Sequence, residues 1–134
     1  MKRVSSLLAV AIAVACSDAF QPTIDNVAGD YTARTFTITD STGTTDVLKA
    51  GGVLTLSLVP RGTTAGYLYI PGAVAGGSDV VADMVGTWTM SSGIIYVSGT
   101  ADTFMRDMGF IAGKRRLDGS KVFSGVRVQV VLTK

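Results

Sequence analysis

The sequence contains no histidine and no glutamate. Its ten acidic residues are all aspartate, and it has a single cysteine, a single tryptophan and three prolines. Without histidine the commonest general base and metal ligand is missing. One cysteine can make neither an intramolecular disulfide nor a zinc cluster. No serine stands in a Gly-x-Ser-x-Gly elbow, and no glycine-rich phosphate loop leads into a helix. Asp79 with Asp83 and Asp102 with Asp107 are the nearest carboxylate pairs, and they read as turn and strand-end residues. The aspartates are too dispersed for a calcium loop. The expectation is a protein that is not an enzyme and needs no cofactor or metal. The missing glutamate agrees with little helix, since glutamate favours helices and aspartate does not.

What is present points to strands. A length of 134 residues suits one core, and 47% hydrophobic residues with only 16% charged exclude a disordered chain. Sixteen glycines stand among many Thr, Ser and Val residues. Gly, Asp-Ser-Thr-Gly and Pro-Arg-Gly clusters cut the chain into short β-branched or aromatic segments, the spacing of a sandwich or barrel. Strands are predicted at Asp30–Thr39, Thr45–Lys49, Val53–Val59, Gly66–Ile70, Val80–Met90, Ile94–Ser98, Thr103–Ala112 and Lys121–Thr133. Leu54, Leu56 and Leu58 alternate with Thr55 and Ser57, Leu68 and Ile70 with Tyr67 and Tyr69, and Trp88 and Met90 with Thr87 and Thr89. In the last segment Val122, Val126, Val128, Val130 and Leu132 are assigned to one face and Arg127, Gln129 and Thr133 to the other. Ser91-Ser92-Gly93 and Leu117-Asp118-Gly119-Ser120 read as turns.

The first fifteen residues have the layout of an export signal: Lys2 and Arg3, an apolar run from Val4 to Val14, then small residues. A dozen helical residues reach only about 18 Å, too short for a hydrocarbon core of about 30 Å. Lys2 and Arg3 supply the whole formal charge of +2, so the rest of the chain is balanced. That balance argues against nucleic acid and against acidic lipid as partners. Ala13-Val14-Ala15-Cys16 resembles the lipobox of bacterial lipoproteins, although Ala13 stands where Leu is usual. The resemblance implies a diacylglyceryl group on Cys16, cleavage before it, and anchorage in the cell envelope. Ser17, in place of an inner-membrane retention Asp, points to the outer membrane. The organisation expected is signal peptide 1–15, lipidated cysteine and tether 16–27, and β-barrel domain 28–134.

A faint echo places Gly29-Asp30-Tyr31-Thr32 and Gly86-Thr87-Trp88-Thr89 57 residues apart. With the strand order, it resembles lipocalin-like barrels, whose first strand opens on a Gly-x-Trp element. Gly86-Thr87-Trp88 followed by Ser91-Ser92-Gly93-Ile94 likewise resembles small bacterial lipoproteins with a lipocalin-like domain. The implied fold is all-β, an antiparallel up-and-down barrel of about eight strands.

One segment conflicts with its own alternation. In Thr103–Ile111 the strand reading puts Arg106 on the same face as Phe104, Met108 and Phe110, and a buried arginine is costly without a partner. A β-bulge could turn Arg106 outward, Asp83 or Asp102 could pair with it, or it could hold the anionic head of an apolar ligand inside the barrel. Trp88, Phe104, Arg106, Met108 and Phe110 are therefore the candidate ligand-binding residues, with Cys16 the lipidation site. Two functions remain open, the first ahead of the second. One is an anchored lipoprotein that binds a small hydrophobic or amphiphilic ligand. The other is a structural module of the envelope that binds another protein, its barrel filled by its own side chains.

Overall fold

A computed structural model describes residues 20–99 and 103–134. Among these described residues ten strands and three short helices succeed one another: α1 (Ile24–Val27), β1 (Gly29–Asp40), β2 (Gly43–Asp46), β3 (Val53–Leu58), β4 (Thr63–Ile70), α2 (Gly72–Ala75), β5 (Val80–Asp83), β6 (Gly86–Ser91), β7 (Ile94–Gly99), α3 (Phe104–Asp107), β8 (Phe110–Gly113), β9 (Arg116–Phe123) and β10 (Val126–Thr133). Every strand pairing is antiparallel. Eight of the strands run β1-β3-β4-β6-β7-β8-β9-β10 around a barrel that closes where β10 pairs with β1. The all-β, eight-stranded barrel expected from the sequence is the fold observed.

The two remaining strands exist because β1 and β4 each share one edge between two partners. Gly29 to Thr32 pair with β3, while Thr37 to Asp40 pair with β2. In the same way Thr63 and Thr64 pair with β6, and Tyr67 to Ile70 pair with β5. β2 and β5 thus satisfy backbone groups that the closing strands leave behind.

The interior comes from period-two alternation, adjusted once. Tyr31 and Ala33 point inward at odd positions, and Phe36 does so at an even one, because the register slips between Ala33 and Thr35 opposite Leu132 and Val131. This bulge re-aims the rest of β1 into the core. Leu54, Leu56, Leu58 and Leu68 are buried as their alternation implied. Each such side chain contributes about 1.5–3 kcal/mol on leaving water.

Four sequence expectations change. Thr103–Ala112 is not one strand: Phe104–Asp107 forms α3, and only Phe110–Gly113 is extended. Met and Arg are good helix formers, no β-branched residue interrupts that turn, and Gly109 separates it from β8. Val80–Met90 divides into β5 and β6. The final segment is a hairpin, with Ser124 (φ 48°) and Gly125 (φ 81°) supplying the two positive φ values of its tight turn. Val122 therefore belongs to β9 and is exposed rather than inward. Leu117-Asp118-Gly119-Ser120 lies within β9, and the turn comes earlier, at Lys114 and Arg115. The turn read at Ser92-Gly93 is present, again with two positive φ values.

At its start the fold extends N-terminal to Ala28. Thr23 and Asn26 form a capping box for α1, and Val27 is buried. Phe20 packs against the core. These residues cross the end of the barrel at which β1 begins and β3, β8 and β10 finish, termed the N-terminal end. Lys134 fastens them there, its ammonium donating to the carbonyls of Asn26 (2.8 Å) and Ala28 (2.6 Å).

Candidate functional site

The five candidate ligand-binding side chains separate in the structure. Trp88 on β6 is buried, and its indole N–H donates to the Val59 carbonyl at 2.7 Å, so the ring is held by its polar tip as well as by packing. Met108 and Phe110 are fully buried. Phe104 is half-buried on α3, its ring centroid 5.5 Å from that of Phe36. Arg106 does not join them. The helical turn carries it outward, where it meets Asp107 at 3.3 Å with both side chains nearly half exposed. Outward placement was one of its three readings, and a helix rather than a β-bulge achieves it. Cys16 and Asp102 lie outside the described residues.

Alternation missed Met105. It is 1% exposed, and together with Met108 it brings α3 down onto the core beside β7. The signal was a four-residue apolar spacing, Phe104 to Met108, inside a segment read at period two.

The barrel's middle is occupied. Phe36, Leu54, Leu56, Leu58, Leu68 and Ile95 are each no more than 2% exposed. A hollow bounded by Asp83, Met84, Val97, Gly99, Thr103 and Arg106 has a volume of about 10 Å³, against the roughly 300–1,000 Å³ usual for small-molecule sites. A larger one, about 190 Å³, is an open depression on the outer surface at Gly109, Ile111, Asp118 and Gln129. Among the described residues, no buried side-chain nitrogen or oxygen lacks a hydrogen-bond partner, and no three potential metal ligands gather.

Asp79 and Asp83 have structural partners. Asp79 accepts from the Gly72 amide at 2.6 Å and from the Tyr69 hydroxyl at 3.3 Å, closing the α2 loop. Asp83 accepts from the Val85 amide at 2.9 Å. The two do not form an acid–base pair.

The two aromatics of the sequence echo do play matching parts. Tyr31, like Trp88, is buried and gives its polar hydrogen to a backbone carbonyl, that of Val27 at 2.5 Å. Burial pushes the Tyr31 phenol up to about 12, because a phenolate there would lose its hydration.

The outer face holds more apolar surface around β5. Val53, Tyr69 and Val81 lie in one register row across β3, β4 and β5. Val81 is 62% exposed, and Val53, Tyr67 and Val80 are also exposed. Among the described residues β5 pairs on one side only, and it carries neither Lys nor Pro to blunt its free edge.

No protein-family model, no curated protein and no solved structure matches this chain.

Proposed function

We propose that this is a non-enzymatic, lipid-anchored protein of the cell envelope whose barrel is filled by its own side chains and whose outer face binds another protein. The observation behind this reading is the filled interior. Large side chains that could have lined a ligand cavity instead pack on one another, and Arg106, the one group suited to an anionic headgroup, points away from them. This favours the interaction module over the carrier of a small apolar ligand. Anchorage rests on the likeness of Ala13-Val14-Ala15-Cys16 to a lipobox, the outer-membrane assignment on Ser17, and the kinship with small lipoproteins of lipocalin-like fold on Gly86-Thr87-Trp88 followed by Ser91-Ser92-Gly93-Ile94. The free edge of β5, flanked by Val53, Tyr67 and Val81, is suited to an extended segment of a partner, which would add a strand there.

Native mass spectrometry of the purified protein, with a fluorescent fatty-acid titration beside it, tests the central point. The expected spectrum shows the chain with only its covalent lipid, and the expected titration shows no saturable site. A small molecule released only on unfolding would overturn the reading in favour of a carrier.

A further inference from the structure

We propose that the N-terminal end of the barrel is a docking face for an anionic phospholipid surface. The inference rests on the proposed anchorage for its setting, but its support is the distribution of charge in the fold. The balanced charge read from the sequence conceals a segregation along the barrel axis. Arg61 lies in the β3–β4 loop, Lys114 and Arg115 form the β8–β9 turn, Arg116 comes directly after them, and Arg34 and Lys134 flank the β10–β1 seam. All six basic residues sit at the N-terminal end. The order of strands places the β3–β4 and β8–β9 connections on opposite sides of the barrel, with the seam between them, so the cations span half of the rim, and the β6–β7 turn on the other half carries none.

Only three aspartates, Asp25, Asp30 and Asp118, share that end among the described residues. Asp118 is held by Arg116 at 2.8 Å, and Asp30 accepts the Ser57 hydroxyl at 2.7 Å. Towards the far end the proportion reverses: Lys49, Arg106, Lys121 and Arg127 accompany Asp40, Asp46, Asp79, Asp83 and Asp107. The rim also crowds like charges. Arg115 and Lys134 are joined by two hydrogen bonds, Arg115 Nε to the Lys134 main-chain oxygen at 2.9 Å and the Lys134 amide to the Arg115 carbonyl at 3.1 Å. The Lys134 ammonium rests on carbonyls and over the Tyr31 ring. Its affinity for the proton is lowered, first by burial and then by the charge of Arg115. Such a concentration of cations is favoured where lipid phosphates neutralise it.

Chain geometry turns the same end towards the bilayer. Phe20 packs on the barrel core and Pro22 lies against Gly93 in the β6–β7 turn, at the same rim. Three residues lie between Cys16 and Phe20, and the four Cα steps that join the two span about 14 Å at full extension. An eight-residue strand runs about 26 Å. A lipid on Cys16 therefore brings this rim to the membrane and leaves β5, which lies towards the far end, facing away from it.

Vesicle co-sedimentation of the chain from residue 16 onward, without the 1–15 signal and carrying Cys16→Ser to remove the acylation site, tests the face apart from the anchor. The vesicles are phosphatidylcholine alone or with about one-third phosphatidylglycerol. Binding should favour the anionic vesicles and weaken as salt shortens the Debye length below about 8 Å. Arg61→Gln with Lys114→Gln should weaken anionic binding roughly tenfold or more. Lys49→Gln with Arg127→Gln removes the same charge from the far end and should change it less than about twofold. All four positions are exposed, and thermal melts confirm that each variant folds. Equal binding to both kinds of vesicle, or equal loss from the two double variants, would overturn the docking face. In cells, with residues 1–15 replaced by a cleavable export signal that does not depend on a lipobox, retention of Cys16→Ser in the membrane fraction after a high-salt wash would overturn the anchor alone.

Discussion

Phe110 and Gly119 are register partners on β8 and β9, and the phenyl ring of one fills the space where the other would carry a side chain. A Cβ built on Gly119 would stand 2.8 Å from Phe110 Cδ1 and Cε1, and 2.9 Å from Met108 Cε. Gly119→Ala should thus destabilise by about 1–3 kcal/mol through overpacking. Trimming the ring in Gly119→Ala/Phe110→Leu should recover part of that loss. Chemical denaturation of the two single variants and the double variant measures the coupling. Strict additivity would mean that ring and backbone do not compete for the same space.

Trp88 offers two separable losses. Trp88→Ala removes a buried ring and should cost about 3–5 kcal/mol. Trp88→Phe keeps much of the apolar bulk but leaves the Val59 carbonyl without its 2.7 Å donor, a loss of about 1 kcal/mol beyond the change in packing. Urea midpoints at constant m-value report both. A Trp88→Phe variant as unstable as Trp88→Ala would show that the hydrogen bond, rather than burial, dominates this site.

Tyr31 should make stability fall at alkaline pH. Its phenol stays protonated in the folded protein up to about 12, against an ordinary value of 10.0. The folded state then holds a proton that the unfolded state releases. The contribution is complete below pH 10 and is lost as pH rises towards 12, with a slope of at most about 1.4 kcal/mol per unit. Tyr31→Phe should be less stable by about 1 kcal/mol at neutral pH, having lost the donor to Val27. The gap between variant and wild type should narrow above pH 10. A gap independent of pH would place the phenol in water.

Arg106→Met should change stability by less than about 0.5 kcal/mol, since the Arg106–Asp107 pair is exposed. Binding of a fluorescent fatty acid should be the same for this variant and the wild type. A tenfold difference in that titration, with folding intact, would restore the arginine to a ligand site.

The sequence was legible wherever one residue type repeated at period two between turn signals. Leu54, Leu56 and Leu58 show it, as does Ser92-Gly93, because a half-buried strand and a tight turn each impose a local chemical pattern. It was ambiguous where two local solutions suit the same residues. Phe104 to Phe110 carries apolar positions compatible with either period, and the choice fell to packing: as a helical turn, Met105 and Met108 are buried and Arg106 reaches water. Gly119 misled for a related reason. A glycine beside Asp and Ser has the composition of a turn, yet here it makes room for a ring from the neighbouring strand, a neighbour that pairing alone supplies.

Residue types and spacings of a few positions suffice to establish a β-rich domain without histidine chemistry or disulfides, preceded by a lipobox-like segment. They do not establish that the barrel closes β10 on β1, that its interior is occupied, or that a balanced set of charges divides between two ends. Those three properties came from the folded molecule, because closure, volume and charge separation depend on which distant segments meet. Arg34, Arg61, Lys114 and Lys134 are scattered along the chain, and the antiparallel strand order brings them to one rim.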